Sequence, residues 1–420
     1  MMYWLGLAAR SAWNRRLTLG LTLAAVALSV ALLLGIERVR HDARASFANS
    51  VSGTDLVVGA RTSPIQLMLY AVFRIGEATN NIRWDAFRAI AGDREVAWAI
   101  PLSLGDSHRG YPVLGTTAAY FDHFRYGDQR QLTFAAGAPM RGVFDAVLGS
   151  EVADKLGYRL GGRIVLSHGI GGVGLPQHAD KPFTVAGILA PTGTPVDRTV
   201  HVLLEAIAAI HLDWQGGAPV PGFSVPAQYV SKFDLSPKEI TAALIGLKSR
   251  AAVFRVQRRI NEYAGEPLLA VLPGVALDQL WEVVGMVERT LLAVSAMVVA
   301  VGLAGLVAVI LAGLNERRRE LAILRSVGAR PGGIFLLLTI DGLIVTLLGC
   351  ALGVLLLAAL AALARPLAQS RYGLEIHLQL VSLDELRMLG AVVLVGLLAS
   401  LIPGYRAYRL SLADGLTPRL

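Results

Sequence analysis

Residues 315–335, NERRRELAILRSVGARPGGIF, lie between two long apolar segments of the chain. The stretch is charged where it begins and apolar further on, and a Pro-Gly-Gly break follows at 331–333, so it predicts a short amphipathic helix. It also contains five arginines: Arg317, Arg318, Arg319, Arg325 and Arg330. Arginines in a short loop between two membrane spans favour the cytoplasmic side. The stretch therefore predicts the orientation of the whole chain.

The composition indicates a membrane protein with a large domain outside the bilayer. The chain has 420 residues, of which 54% are hydrophobic and 17% are charged, and this is too apolar for a typical soluble protein. Four segments reach the roughly 20 residues that a helix needs to cross the bilayer core. We place these spans at 17–36, 290–314, 332–364 and 388–405.

The orientation assigns a side to each remaining segment. Segment 1–16 is predicted to be a cytoplasmic amphipathic segment, 315–331 a cytoplasmic loop and 406–420 a cytoplasmic tail. Segment 37–289 then forms a large periplasmic domain, and 365–387 forms a short periplasmic loop. Both termini are therefore expected in the cytoplasm, and the chain is expected to be a multi-pass membrane protein.

The periplasmic domain shows mixed α/β signals. Strands are predicted at 55–58, 163–167, 183–189 and 199–204, with the last two near each other. Helices are predicted at 150–160, with Ser150 as N-cap, and at 236–257, where SPKE is typical of a helix start. Segment 65–75 is apolar but too short to span, so we expect a helix that packs in the core or, less favoured, touches the membrane. The sole cysteine, Cys350, lies in the third span, so this domain has no disulfide.

Several stretches resemble one family. The sharpest is RRRELAILRSVGARPGGIF, followed by Asp341 and Gly342 and by the glycine-spaced LLGCALGVLLL. Weaker matches are LGSEVADKLGYRLGGRIVLS, FTVAGILAPTGTPVDRTVHV and the C-terminal IPGYRAYRLSLADGLTPRL. With these residues the chain resembles the FtsX/MacB-like family of ABC transporter permeases, the mechanotransmitting type. The resemblance implies four transmembrane helices with one large extracytoplasmic domain between the first two.

The resemblance also implies a function. The chain would be a non-catalytic permease subunit, and a cytoplasmic ABC ATPase would supply the ATP and magnesium site, with no cofactor bound by this chain. No G-x-x-x-x-G-K-[ST] stretch is present, so we expect the ATPase to be a separate subunit. A homodimer would use ATP hydrolysis to move its periplasmic domains and export or extract a hydrophobic, lipid-linked or peptide substrate. The alternative is a transmembrane regulator that mechanically activates a periplasmic enzyme such as a cell-wall hydrolase. A further periplasmic partner protein is possible in either case, and nothing in the sequence indicates nucleic-acid binding.

The candidate site residues fall into two groups, both in or beside the membrane. The residues predicted to dock to the ATPase are Glu316, Arg317, Arg318, Arg319, Glu320, Leu321, Leu324 and Arg325. The arginines could equally be ordinary cytoplasmic anchors that meet lipid headgroups. Asp341, where the family commonly has glutamate, is predicted either to stabilise the bundle by a hydrogen bond or to take part in coupling. Gly349 and Gly353 form a GxxxG pair that predicts close helix packing, with a homodimer contact slightly favoured over packing within one chain.

All eight histidines fall outside the predicted spans. His168 and His178 flank a glycine-rich loop and could meet on a metal such as zinc, but no cysteine or closely spaced second histidine joins them. We therefore expect solvated histidines and no metal site. No triad or nucleophile elbow indicates an enzyme.

Overall fold

The computed structural model describes residues 16–169, 177–215, 218–220, 223–316, 326, 330–372 and 381–409. The chain divides into two units. One is centred on Ala43–Val284 and is called the α/β domain below. The other contains the helices that precede and follow it, and is called the bundle.

Ten α-helices lie in the described part of the chain. They are α1 (Arg16–Asn49), α2 (Pro64–Ala71), α3 (Trp84–Ala91), α4 (Ala119–His123), α5 (Ser150–Leu156), α6 (Leu204–Ile210), α7 (Val253–Asn261), α8 (Pro273–Glu316), α9 (Pro331–Tyr372) and α10 (Leu383–Arg409). Short 3₁₀ turns occur at Pro195–Arg198, Ala227–Lys232 and Arg250–Ala252.

Seventeen strands accompany these helices. They are β1 (Leu56–Ala60), β2 (Ile82–Arg83), β3 (Val96–His108), β4 (Tyr111–Thr116), β5 (Arg125–Tyr126), β6 (Arg130–Gln131), β7 (Phe134–Gly137), β8 (Asp145–Leu148), β9 (Arg163–Ile164), β10 (Ser167–His168), β11 (Phe183–Leu189), β12 (Val200–Leu203), β13 (Trp214–Gln215), β14 (Ala218–Pro219), β15 (Glu239–Ile240), β16 (Ala242–Leu247) and β17 (Leu268–Val271).

Eleven of the strands form one mixed sheet. Its main path runs β17-β1-β16-β3-β4-β12-β8-β11-β7, with β10 paired to β3 and β9 paired to β11. The β4–β12 and β8–β11 pairs are parallel, and the other pairs in this sheet are antiparallel. The predicted fold class, four transmembrane helices with a mixed α/β domain between the first two, is confirmed.

Helix α2 settles the alternative for the apolar segment 65–75. Leu67 and Met68 are almost fully buried and belong to the same core as Ile100 and Leu102 of the sheet. Ser63 begins the helix, because its side chain accepts a hydrogen bond from the Gln66 amide and Pro64 follows it. Core packing, which we favoured over membrane contact, is confirmed.

One local expectation is wrong. Segment 236–257 is not one helix, because β15 and β16 occupy its first half and α7 begins only at Val253. Strand β16 lies between β1 and β3, and its first five residues are buried, so sheet pairing and burial overrule the helix-start signal. Strand β12 pairs with β4 and β8, and because β8 also pairs with β11, the predicted strands at 183–189 and 199–204 lie near each other with one strand between them.

The bundle consists of four helices that are long and apolar enough to cross a membrane. Within the described residues these are Leu17–Arg44, Pro273–Leu314, Pro331–Ala364 and Leu383–Arg409. The chain is therefore a multi-pass membrane protein. The helices extend beyond the predicted spans, and α9 and α10 leave only 373–382 between them.

Candidate functional site

The predicted ATPase-docking residues lie at the end of α8. Glu316 is the last residue of that helix. Arg317, Arg318, Arg319, Glu320, Leu321, Leu324 and Arg325 lie outside the described residues. Their docking role stays a prediction, and the structural description of the site rests on the bundle and the α/β domain.

Asp341 lies half-buried on α9, next to the contact between α9 and α10. At the adjacent Gly342, an added Cβ would lie 2.5 Å from the Cβ of Ser400 on α10. The same contact continues through Thr346 against Gly396 and through Thr339 against Gly404. These residues recur at helical spacing and are small, which allows the two backbones to approach closely. Asp341 therefore lies at the edge of the tightest part of this helix pair.

Gly349 and Gly353 lie against α1. A Cβ at Gly349 would be 2.5 Å from Cγ1 of Val26, and one at Gly353 would be 2.8 Å from the carbonyl oxygen of Ala27 and from Cβ of Val30. Both contacts are within one chain. Of the two alternatives for this GxxxG pair, the geometry supports packing between α9 and α1 and not the homodimer contact that we favoured.

A group of charged residues joins α1 to α10. Arg38 donates two hydrogen bonds to the carboxylate of Glu385, of 2.9 and 3.0 Å. Glu385 also accepts from the Ser382 amide at 2.9 Å, while the Ser382 hydroxyl accepts from the Glu385 amide at 3.2 Å. This is a capping box at the start of α10, with Arg38 as an additional partner. Glu385 is 3% exposed, so its charge is stabilised mainly by these partners.

A second charged pair lies beside it. Glu37 is buried and hydrogen-bonds to Arg40, and Arg40 lies 4.0 Å from Glu288 of α8. The three helices α1, α8 and α10 thus share one charged layer at the same end of the bundle. The sequence analysis missed this layer, although the S-x-x-E pattern at 382–385 before an apolar run was a local signal for the capping box.

Four ionisable side chains meet in the α/β domain. We call Asp106, His168, His178 and His211 the histidine cluster, and one ligand atom of each lies within 4.8 Å of the others. Burial, followed by the nearby His211, lowers the pKa of His178 to about 4, so this imidazole is neutral at pH 7. The hydrogen bond with Asp106 raises the pKa of His168.

The cluster corrects part of the expectation for the histidines. Of the two histidines that flank the glycine-rich loop, His178 has no exposed surface, so the solvated interpretation is wrong for it. The sequence analysis paired His168 with His178 but did not find Asp106 or His211. No local pattern could have found them, because the pairing of β10 with β3 brings Asp106 to His168, and His211 reaches them from the end of α6.

The architecture defines a class before any comparison. Four helices of membrane-spanning length, with a large mixed α/β domain inserted between the first and the second, define a multi-pass membrane protein that carries one large inserted domain. Comparison with family models agrees: residues 19–263, more than half of the chain, match the MacB-like periplasmic core domain. Residues 292–412 match the FtsX-like permease C-terminal model. The chain belongs to the FtsX/MacB-like family of ABC transporter permeases, as the sequence resemblance predicted.

Individual relatives are more distant. The chain is 24% identical over 347 residues to the macrolide export ATP-binding/permease protein MacB of Azoarcus sp. (strain BH72). That match covers 80% of this chain and 48% of the relative, so the chain spans about half the length of the curated relative that it matches.

Two solved structures are similar to part of the chain. The periplasmic region of MacB from Actinobacillus actinomycetemcomitans has 10% identity and a TM-score of 0.33, and covers 55% of this chain and 94% of its own. The extracellular domain of the noncanonic ABC-type transporter YknZ from Gram-positive bacteria has 12% identity and a TM-score of 0.30, and covers 52% and 99%. Because both TM-scores are below 0.5, these two likenesses do not support the family assignment, which rests on the matches to the two family models.

Proposed function

We propose that this protein is the membrane subunit of an ABC transporter in the bacterial inner membrane. A cytoplasmic ABC ATPase hydrolyses ATP, the bundle transmits the movement, and the α/β domain acts on a hydrophobic, lipid-linked or peptide substrate in the periplasm. The observation that carries the proposal is the pair of family models, which match residues 19–263 and 292–412 and so include most of the α/β domain and most of the last three helices. The chain itself needs no catalytic group for this role.

The helices support a mechanical role. Helix α8 has 44 residues, which corresponds to about 66 Å at 1.5 Å per residue, and a bilayer core is only about 30 Å thick. It carries residues of both the α/β domain and the bundle without a break, and so does α1. A continuous helix transmits displacement because its backbone hydrogen bonds resist extension. Movement at the Glu316 end of α8 would then reach the α/β domain.

The ATPase is proposed to dock on the charged segment after α8, with both chain termini on the same cytoplasmic side. The chain is proposed to act as a homodimer, so that two ATPase subunits close beneath two bundles. The relative from Azoarcus is described as a macrolide exporter, and large hydrophobic compounds are therefore the first substrates to test.

The test is purification of the tagged chain from membranes in mild detergent, with mass spectrometry of the retained proteins and an ATPase assay on the eluate. We expect an ABC ATPase to co-purify in near-equal amount and to hydrolyse ATP. An untagged strain treated in parallel gives the background.

The outcomes separate the possible roles. A chain that is retained alone and without ATPase activity contradicts the proposal. If the ATPase co-purifies together with a cell-wall hydrolase, and macrolide tolerance does not change on deletion of the chain, the regulatory alternative replaces transport.

A further inference from the structure

The histidine cluster has the composition and spacing of a metal site. We propose that it binds a divalent transition-metal ion, zinc first of all, through three imidazole nitrogens and one carboxylate oxygen. The proposal concerns the α/β domain alone and does not depend on the transport function.

The distances between ligand atoms fit a tetrahedral ion. Donors about 2.0–2.2 Å from a tetrahedral zinc ion lie about 3.3–3.6 Å from one another. Nδ1 of His168 lies 3.1 Å from Nε2 of His211 and 3.3 Å from Oδ1 of Asp106. Nε2 of His211 lies 3.8 Å from the same carboxylate oxygen. These three separations bracket the tetrahedral value, and all four ligand atoms lie within 4.8 Å of one another, so a bound ion would draw the widest pairs slightly closer together.

His178 distinguishes a metal site from an ordinary hydrogen-bonded cluster. A proton shared among His168, His211 and Asp106 would satisfy those three side chains. His178, however, is fully buried, and neither of its ring nitrogens has a hydrogen-bond partner among the described residues. A buried polar group without a partner is costly, and a bound metal ion would satisfy one of these nitrogens.

The surroundings of His211 orient it as a ligand. Its Nδ1 lies 2.8 Å from the carbonyl oxygen of Ile207, and because a carbonyl can only accept, Nδ1 must carry the proton. The lone pair of the neutral ring is then on Nε2, which faces the cluster. Metal-binding histidines are commonly held in this way, by donation from the second nitrogen to a carbonyl.

The backbone holds the other ligands in fixed positions. His168 lies directly opposite Asp106 in the β3–β10 pair, so the two side chains lie on the same face of the sheet. Asp106 follows Gly105, which has φ 151° and lies in a bulge where β3 has one more residue than β4. Such bulges redirect the side chains that follow them, and glycine is suited to this backbone conformation.

A buried ion pair connects the segments that carry His178 and His211. Lys181 has no exposed surface, and its ammonium nitrogen lies 2.8 Å from each carboxylate oxygen of Asp213. The Lys181 amide also donates to the carbonyl of His178 at 3.1 Å. The positions of these two ligands are therefore coupled by an interaction that exists without any metal.

The donor set selects the class of ion. Imidazole nitrogens suit zinc, copper, nickel and iron, whereas calcium and magnesium prefer oxygen ligands. Four protein ligands fill a tetrahedral site, which is typical of a structural zinc ion and leaves no open position for catalysis. We therefore expect the ion to stabilise this part of the α/β domain.

The test uses the full chain in detergent, stripped with a chelator and dialysed. After Zn²⁺ is added back and the excess is removed, we expect elemental mass spectrometry to find one Zn²⁺ per chain. Co²⁺ added in its place should show the visible absorption of a tetrahedral Co²⁺ site, and Zn²⁺ should displace it. The indole ring of Trp214 lies 4.1 Å from that of His178, centre to centre, so Co²⁺ should also quench tryptophan fluorescence. Calcium should neither displace Co²⁺ nor quench the fluorescence.

Variants assign the binding to the cluster. His178→Gln, His211→Gln and the isosteric Asp106→Asn should each weaken Zn²⁺ binding at least tenfold, while His123→Gln, at an exposed histidine outside the cluster, should bind as the wild type does. Zn²⁺ should raise the unfolding temperature of the wild type and not that of the cluster variants. Circular dichroism of the metal-free proteins shows which variants are folded, and Asp106→Asn serves if a histidine variant is not.

Two results would overturn the proposal. One is a wild-type chain that binds no Zn²⁺ or Co²⁺ at millimolar concentration, which would leave a hydrogen-bonded cluster only. The other is binding that is equally strong in a folded cluster variant and in the wild type.

Discussion

His201 has no exposed surface and lies between the rings of Tyr120 and Phe121 in the sheet core. Its Nδ1 lies 3.3 Å from the carbonyl oxygen of Val147. Burial, together with the positive charge of Arg74, lowers the pKa of His201 to about 3, against 6.5 in an unfolded chain. The folded α/β domain therefore holds this imidazole in its neutral form.

The lowered pKa predicts a loss of stability in acid. As the pH falls below about 6.5, the unfolded chain binds a proton at this position and the folded chain does not. The contribution of His201 is fully present above pH 6.5 and decreases until the pH reaches about 3. We expect His201→Gln to unfold at a lower temperature than the wild type at pH 7, but with a smaller further decrease between pH 7 and pH 4.

The measurement is the unfolding temperature of the detergent-purified protein at several pH values. His123→Gln is the control, because His123 is exposed and should leave the wild-type pH dependence unchanged. If the unfolding temperature of His201→Gln decreased with falling pH as steeply as that of the wild type, the lowered pKa would not be the cause of the acid sensitivity.

At the scale of elements, helix α9 is the centre of the bundle. It packs on α1 through Gly349 and Gly353, and on α10 through Gly342. We expect Gly353→Ala to destabilise the bundle by about 1–3 kcal/mol, because its Cβ would meet the backbone of Ala27 at 2.8 Å, and backbone cannot rotate away.

Gly305→Ala on α8 is the matched control. A Cβ there meets nothing within 4 Å, so alanine should be neutral or stabilise the helix by up to about 1 kcal/mol. The unfolding temperature in detergent measures both variants. If Gly353→Ala is as stable as Gly305→Ala, the contact between α9 and α1 is not formed.

Sequence patterns predicted elements well where burial and local signals agreed. Strand β11 has the predicted bounds, because FTVAGIL alternates buried and more exposed residues along its length. Helix α5 was found, but its N-cap is Gly149 and not Ser150, which is itself helical and nearly buried. The segment SPKE failed as a helix start because AALIGL, which follows it, pairs with strands on both sides. No local pattern contains that pairing.

The same limit applies to the sites. Hydropathy alone located the four helices, because crossing a bilayer requires length and apolarity and little else. The histidine cluster needs the pairing of β10 with β3, and the Arg38–Glu385 pair joins residues 347 positions apart. Such contacts are properties of the folded chain and are not visible in any short window of sequence.

At the scale of the whole molecule, the proposed function places the contact with the ATPase on the charged segment that follows α8. We expect Glu320→Arg to insert normally but to lose the stimulation of ATP hydrolysis, because a carboxylate proposed to lie in the ATPase groove becomes a cation. The measurement is the ATPase rate of the co-purified complex, together with the amount of ATPase retained.

Glu262→Arg is the control for charge reversal. Glu262 is exposed, and its ion-pair partner within the described part of the chain is Arg258, which is exposed as well, so the exchange should be nearly neutral. Full ATPase coupling in a well-inserted Glu320→Arg protein would exclude the docking role.

The position of β1 has a consequence for biosynthesis. It pairs on one side with β16 and on the other with β17, the two strands of the main sheet that the ribosome makes last. About 10–40 s of translation, at roughly 5–20 residues per second, separates β1 from the end of β17 at Val271. Until β16 at Ala242–Leu247 has been made, which takes most of that time, the apolar Leu56–Ala60 has neither neighbour, so the nascent domain exposes an aggregation-prone strand. A chain truncated before residue 242 can never cover it and should be a substrate for proteolytic quality control.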